Sequence, residues 1–348
     1  MPVPLSLPVI DISPFLGPLS SSPDSLQARK DTAARLHDAC TNTGFFFITG
    51  FESVVSADEM RESLDVARQF FGRPDGEKDK LRIKKGDGAR GWQKIGQNVT
   101  QYKADWHEGW DAYKPLPPDE EDANKLLHGP NQWPDEPSTF RPVLERWIEK
   151  MHILGFALMA ATAMALGIDV DSDAEDWQTI KQWVADPFWV MRTIGYPPLP
   201  EDAEGISCGA HKDYGNWTLL HADATQGALQ AFLLDPSGPS TENGERGHWI
   251  NADPLPNSFV VNIGEMVEVY SAGLYKATLH RVVHKSPSYR VSIPFFYEPS
   301  FNARIEPLPS ALKLREKLGL PPSSAIKPVI YGDFLRSKVS NNFSHDDE

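Results

Sequence analysis

Cys208-Gly-Ala-His211-Lys-Asp213-Tyr-Gly-Asn-Trp-Thr-Leu-Leu-His221 is the stretch on which the fold turns. It reads as a strand running from His211 to His221. On a strand, residues two apart project to the same face, so His211 and Asp213 present an imidazole and a carboxylate side by side. The chain around it has the same texture. From Phe188 onward, short strand runs alternate with turns: Trp189–Tyr196, Leu229–Leu234, His248–Ala252, Ser258–Ile263, Val267–Tyr270, Thr278–His284 and Tyr289–Phe296. This is an all-β pattern of antiparallel character. Asp235 to Gly247, DPSGPSTENGERG, is a long loop between two of the strands.

The N-terminal half reads differently. A short strand-like run, Leu7 to Ile12, is followed by a helix from Ser25 to Thr43, where Leu26, Ala33, Leu36, Ala39 and Cys40 recur near helical spacing. Gly44 ends it. Phe45 to Thr49 is a compact strand and Ser56 to Phe71 a second helix. Asp75 to Arg90 carries both charge signs and glycine, as a solvated loop or short helix does. Trp92 to Tyr113 mixes aromatic and polar residues, as strands lining a site would, and Pro115 to Pro137 is a connection. A long helix from Thr139 to Leu166 carries most of the apolar run Ile153–Ile168, which at 16 residues is short of the roughly 20 that span a bilayer. That predicts a buried core helix. Helices first and strands after suggest a β-sandwich or jelly roll backed by helices.

Composition narrows the function. The 348 residues allow one or two domains. A net charge of -14 argues against a nucleic-acid partner and against docking on an anionic membrane. Two cysteines, Cys40 and Cys208, are too few for a disulfide framework or a thiolate zinc site. The N-terminus lacks the pattern of a secretory leader, so a reducing, cytoplasmic location is expected. DVDSDAED at 169–176 has acids at alternate places, yet Ala174 and Ile180 stand where a calcium loop needs Gly and Glu, so it reads as an acidic surface loop.

The chemistry gathers with a second histidine. His280 lies on another strand candidate, 67 residues after Asp213. Two histidines and one carboxylate make a facial triad, which leaves open positions on an octahedral ferrous ion for a bidentate cosubstrate and dioxygen. Arg290 and Ser292 share a face by the same period-two rule. A guanidinium fork with a hydroxyl beside it suits the carboxylate of a dicarboxylate.

These residues, in this order, resemble the isopenicillin N synthase-like branch of the iron(II)/2-oxoglutarate-dependent dioxygenases. The resemblance runs from Leu7-Pro8-Val9-Ile10-Asp11-Ile12 and Gly44-Phe45-Phe46 through Gly195-Tyr196-Pro197-Pro198 and His211-Lys212-Asp213-Tyr214-Gly215. It continues through Thr218-Leu219-Leu220, Val261-Asn262-Ile263-Gly264-Glu265, His280-Arg281-Val282 and Arg290-Val291-Ser292 to Tyr331-Gly332-Asp333-Phe334-Leu335. It implies a mainly β, α+β fold: a double-stranded β-helix (jelly roll) core with supporting N-terminal helices. Residues 1–187 would form the helical support with short strands, integral to the catalytic unit. Residues 188–336 would form the jelly-roll core and 337–348 a C-terminal tail. It further implies that His211, Asp213 and His280 ligate Fe(II), and that Arg290 and Ser292 hold the distal carboxylate of 2-oxoglutarate with Tyr196 hydrogen-bonding nearby. O2 would be the second cosubstrate. The implied reaction oxidises, and most simply hydroxylates, a small molecule while 2-oxoglutarate becomes succinate and CO2.

Departures from the pattern are few. Glu265 stands where the family usually has Asp. Ile194 stands where an Asn often supplies a further cosubstrate contact. The Asp213–His280 interval is longer than in many members, which makes the 235–247 loop a candidate lid as much as a surface loop. His221 reads as structural or pocket-lining, and His284 as packed or surface-exposed. Trp92, Tyr102, Trp106, Trp110, Phe188 and Trp189, with Phe295, are candidates for an aromatic pocket as well as for core. Three alternatives stay open: an oxidase or cyclase of isopenicillin N synthase type that needs no 2-oxoglutarate, an ethylene- or succinate-forming enzyme, and a non-catalytic jelly-roll binding protein. Substrate identity and oligomeric state are not legible.

Overall fold

The computed structural model describes residues 6–17, 22–84, 89–100, 103–116, 127–200, 206–241, 244–321 and 326–339. Twelve strands build the core: β1 (Val9–Asp11), β2 (Phe45–Thr49), β3 (Gly91–Gln93), β4 (Glu108–Tyr113), β5 (Trp189–Tyr196), β6 (Cys208–His211), β7 (Trp217–Ala222), β8 (Leu229–Leu234), β9 (Gly247–Asn251), β10 (Phe259–Ile263), β11 (His280–Val282) and β12 (Arg290–Tyr297). Eight form one sheet in the order β1-β2-β10-β7-β12-β5-β4-β3, and four form a second in the order β9-β8-β11-β6. All pairings are antiparallel except β1 with β2.

The large sheet is covered on both faces, so its strands are apolar nearly throughout. Alternation decides which side chain serves which core. Phe46, Ile48, Leu219, Val261, Ile263, Ile293 and Phe295 point to the helices and join one cluster. Phe45, Phe47, Ile194, Tyr196 and Val260 point the other way and meet Cys208, Leu229, Ala231 and Val282 of the small sheet in a second cluster. Each fully buried large apolar side chain on either face contributes roughly 1.5–3 kcal/mol. This is a mixed α+β fold with a core sheet flanked by N-terminal helices, in the double-stranded β-helix manner.

The helices form where local signals place them. α1 (Pro23–Asn42) starts on Ser22, whose hydroxyl accepts from the Ser25 N–H at 3.3 Å. It stops before Gly44, whose φ of +60° a side chain would strain. α2 (Ala57–Phe71) opens on a capping box in which Ser56 and Glu59 satisfy each other's backbone N–H groups. α3 (Phe140–Ala165) backs the large sheet and packs on α1 and α2. It is long and apolar enough to cross a bilayer by composition alone, and 61% of its most apolar window is buried within the fold. The acidic loop after it ties the fold together as well. Asp171 receives both Nη atoms of buried Arg29 at 2.7 Å, which fixes the loop to α1.

Two sequence expectations fail here. The run His211–His221 is not one strand. β6 ends at His211 in the small sheet and β7 begins at Trp217 in the large one. Between them the carbonyls of Asp213, Gly215 and Asn216 accept from the N–H groups of Glu265, Met266 and Gly264, so that segment bonds to a helix start and not to a strand. Val267–Tyr270 is accordingly helical, within α4 (Glu265–Tyr270). Its buried residues Met266, Val267 and Tyr270 follow a spacing of three to four, not two. Most of the expected tail, 340–348, lies outside the described residues, and α5 (Tyr331–Val339) precedes it.

Candidate active site

The crossing from β6 to β7 creates the site. His211 closes β6, Asp213 sits in the turn, and His280 opens β11, directly paired with His211 in register. The Nε2 atoms of His211 and His280 each lie 3.6 Å from Asp213 Oδ1. The ligand atoms of all three residues fall within 4.8 Å of one another. The three residues singled out from the sequence therefore come together, although not by the single-strand route their spacing suggests.

The surroundings free these atoms for a metal. His211 Nδ1 donates to the Gly209 carbonyl at 2.8 Å and His280 Nδ1 to that of Thr278 at 3.1 Å, which leaves both Nε2 atoms facing inward. Asp213 Oδ2 accepts from Asn262 Nδ2 at 2.6 Å and from the Thr218 hydroxyl, which leaves Oδ1 free. Burial pushes the Asp213 carboxyl up, but His280 and His211 with these two hydrogen bonds outweigh it and hold it below the ordinary carboxylate range. Burial pushes His280 down to about 4, the neutral ligand form. At His211 burial is outweighed by Cys208 and Asp213, which raise it to about 10, so a metal ion would displace its Nε2 proton. Two imidazole nitrogens and one carboxylate oxygen on one face fit Fe(II).

A cavity of about 70 Å³ adjoins the triad, bordered by Tyr196, Thr218, Asn262, Arg290 and Ser292. Arg290 and Tyr196 are paired across β12 and β5, and the guanidinium lies 4.8 Å from the Tyr196 ring centroid. Burial pushes the Tyr196 phenol up to about 12, so it remains a neutral donor. Arg290 is 2% exposed, and its Nε and Nη1 atoms are buried with no hydrogen-bond partner. Arg290 also borders a second, outer cleft beside α2, lined by Met60, Leu64 and Pro254.

A larger cavity of about 150 Å³ also adjoins the triad and shares Arg192, Cys208, His211, Asp213 and Phe296 with the smaller one. Its lining combines polar groups, Gln93, Asn98, Thr100, Asp111, Arg192 and Glu298, with a larger apolar share from residues such as Val190, Phe296, Leu335 and Val339, beside His211 and Asp213. None of the expected aromatics among the described residues borders it. Trp92 and Trp110 are buried core residues that hydrogen-bond to Glu108 and to the Gln132 carbonyl. Phe188 and Trp189 pack in the core below the helices, Trp106 bonds to the Pro198 carbonyl at 3.2 Å, and Tyr102 lies outside the described residues. Phe295 faces the helices and stacks on Trp189; strand parity puts Phe296 in the cavity instead.

The other expectations resolve locally. His221 faces α2, its Nε2 2.9 Å from the Met60 carbonyl, and His284 is buried with Nε2 2.7 Å from that of Ser288. Ile194 pairs with Ser292 and borders the smaller cavity. Glu265 binds Lys338 of α5 at 2.7 Å, away from the ligand atoms. In the 235–247 loop, Glu245 meets Lys212 at 3.0 Å, but no described residue of the loop lines the cavity beside the triad. Sequence reasoning missed Asp111, Arg192 and Glu298 as cavity residues. The one available signal was a charged residue on a strand otherwise facing inward.

Known proteins match this arrangement. The model of the non-haem dioxygenase in morphine synthesis N-terminal region matches residues 7–136, and that of the 2OG-Fe(II) oxygenase superfamily matches 185–299. A rice homoarginine-6-hydroxylase, 2-ODD-233, is 39% identical over 97% of this chain and 98% of its own. A 2-oxoglutarate-Fe(II) type oxidoreductase of Aspergillus fumigatus is 32% identical over 92% and 90%. The crystal structure of a rice dioxygenase for auxin oxidation superposes with a TM-score of 0.67 at 22% identity, covering 98% of each chain. A Caulobacter crescentus 2OG-Fe(II) oxygenase family structure does so at 0.76 and 24%, covering 97% of this chain and 99% of that one. With both halves matched in order and the His211–Asp213–His280 triad assembled between the sheets, the chain belongs to the 2OG-Fe(II) oxygenase superfamily.

Proposed function

We propose that the protein is an Fe(II)- and 2-oxoglutarate-dependent dioxygenase of the isopenicillin N synthase-like branch that hydroxylates a small organic molecule. His211, Asp213 and His280 would hold Fe(II), and Arg290 with Ser292 would hold the far carboxylate of 2-oxoglutarate. When bound, the ion and cosubstrate supply the oxidising chemistry: 2-oxoglutarate and O2 become succinate and CO2, and one oxygen atom enters a substrate C–H bond. The chain's own residues supply position. The Gly209 and Thr278 carbonyls fix both ligand tautomers. Thr218 and Asn262 orient Asp213. Tyr196 covers one face of the Arg290 guanidinium.

Arg290 carries this reading. A buried guanidinium with two unpartnered nitrogens costs several kcal/mol unless an anion joins it. A dicarboxylate reaching from the triad supplies that anion. Arg290→Met should raise the KM for 2-oxoglutarate about 100-fold or more in a succinate-release assay, with Arg290→Lys intermediate. An unchanged KM, or substrate oxidation with O2 and no 2-oxoglutarate, would refute it, the latter in favour of an oxidase of isopenicillin N synthase type.

For the substrate we propose a basic amino acid with a guanidinium-bearing side chain. Relatives matching 97% of the chain at 37–39% identity are homoarginine-6-hydroxylases, and Asp111, Arg192 and Glu298 in the cavity beside the triad offer charged partners to such a molecule. L-homoarginine should stimulate succinate release; indifference to it would discard this substrate class.

A further inference from the structure

The larger cavity has charged groups beyond the triad and Arg290; one of them, Arg192, also borders the smaller cavity. Arg192 of β5 and Asp111 of β4 face each other in register, with Arg192 Nε 2.8 Å from Asp111 Oδ1. Asp111 is buried, while the Arg192 side chain is 20% exposed toward the cavity. Gln93 accepts weakly from Nη2 at 3.4 Å, so the guanidinium keeps donors for a ligand.

Glu298 borders the same cavity, one residue beyond β12. It is 3% exposed, and its Oε2 is buried with no hydrogen-bond partner. Gly215 makes room for it, since a Cβ there would fall 1.0 Å from Oε2. Burial pushes the Glu298 carboxyl up to about 8, against the Tyr331 hydroxyl and the Asn216 backbone nearby, and the charge of Asp213 adds to the rise. A cationic ligand group would relieve both the burial and the missing partner. Lys212, at the rim, is already paired with Glu245. Beyond the metal triad, the cavity's unshared charges therefore reduce to an Asp111–Arg192 pair and one extra carboxylate.

We propose that Glu298 binds the cationic side-chain end of the substrate and Arg192, held by Asp111, binds its carboxylate. This deepens the basic amino-acid reading and rests on it. Glu298 follows the strand that carries Arg290 and abuts Gly215, two residues after the ligand Asp213. With Asp111 and Arg192 neutralising each other, a guanidinium bound beside Glu298 would draw that carboxyl into its charged form.

The test compares three compounds on wild-type protein: L-homoarginine, homocitrulline (guanidinium replaced by neutral urea) and homoagmatine (carboxylate removed). Both analogues should show at least tenfold lower kcat/KM than homoarginine. Glu298→Gln should raise the homoarginine KM at least tenfold and narrow its advantage over homocitrulline, with the KM for 2-oxoglutarate unchanged. Arg192→Lys should narrow the advantage over homoagmatine. Equal use of all three compounds by wild type would overturn the subsite, as would a Glu298→Gln enzyme that keeps full discrimination. If Glu298→Gln fails to fold, the wild-type comparison still decides. Wild type that releases no succinate with any of the three would overturn the substrate reading and this subsite together, while a wild type that uses homoarginine without discrimination overturns only the subsite.

Discussion

At the residue scale, the triad depends on neighbours that touch no ligand. Asp213 is aimed by Asn262 and Thr218, which occupy one oxygen and leave the other inward. Asn262→Ala removes the 2.6 Å bond. We expect Fe(II) affinity to fall about 10- to 100-fold, read as the iron dependence of succinate release at saturating 2-oxoglutarate. The triad residues were legible from residue type and order, although the shared strand that their spacing suggested for His211 and Asp213 does not form; Arg290 and Ser292 do lie two apart on β12. Glu298, Asp111 and Arg192 were not legible. Their meaning comes from which cavity they border, and the Asp111–Arg192 contact joins positions 81 residues apart.

At the element scale, periodicity located most strands and helices, and failed where bonding across the chain set the outcome. The Asp213–Asn216 turn exists because its carbonyls meet the start of α4, about 50 residues later in the chain. Nothing between His211 and His221 announces this except Gly215. The aromatic run before the end of β12 shows a related ambiguity: shifting parity by one residue exchanges Phe295 for Phe296 at the cavity. Where signals are purely local they can be tested directly. The capping box at Ser56 and Glu59 satisfies two N–H groups at the head of α2. Ser56→Ala should cost about 1 kcal/mol of unfolding free energy in urea titrations, with the dependence on denaturant unchanged.

At the scale of the whole molecule, Glu108 of β4 gathers polar links from its own half of the chain and one, from Tyr289, out of the β half. Glu108 accepts from Lys78 at 2.7 Å, from Trp92 at 2.9 Å and from Tyr289 at 2.8 Å. Burial leaves several histidines uncharged. It pushes His107, His152 and His221 each down to about 4. Unfolded, each would titrate near 6.5. Between those values the unfolded chain binds more protons than the folded one, so stability falls as pH drops from about 6.5 toward 4. His221→Gln, which can still donate to the Met60 carbonyl, should reduce that slope by about one proton, measured as midpoint against pH. An unchanged slope would show that His221 is already protonated in the fold.

Arg290 borders two spaces at once, the inner cavity with the triad and the outer cleft beside α2. The cavity holding Glu298 and Arg192 adjoins the same metal ligands and shares Arg192, His211 and Asp213 with the inner one. On the functional reading above, cosubstrate and substrate would be close neighbours. Succinate would then compete with 2-oxoglutarate, and a bulkier dicarboxylate in its place would crowd the amino acid as well.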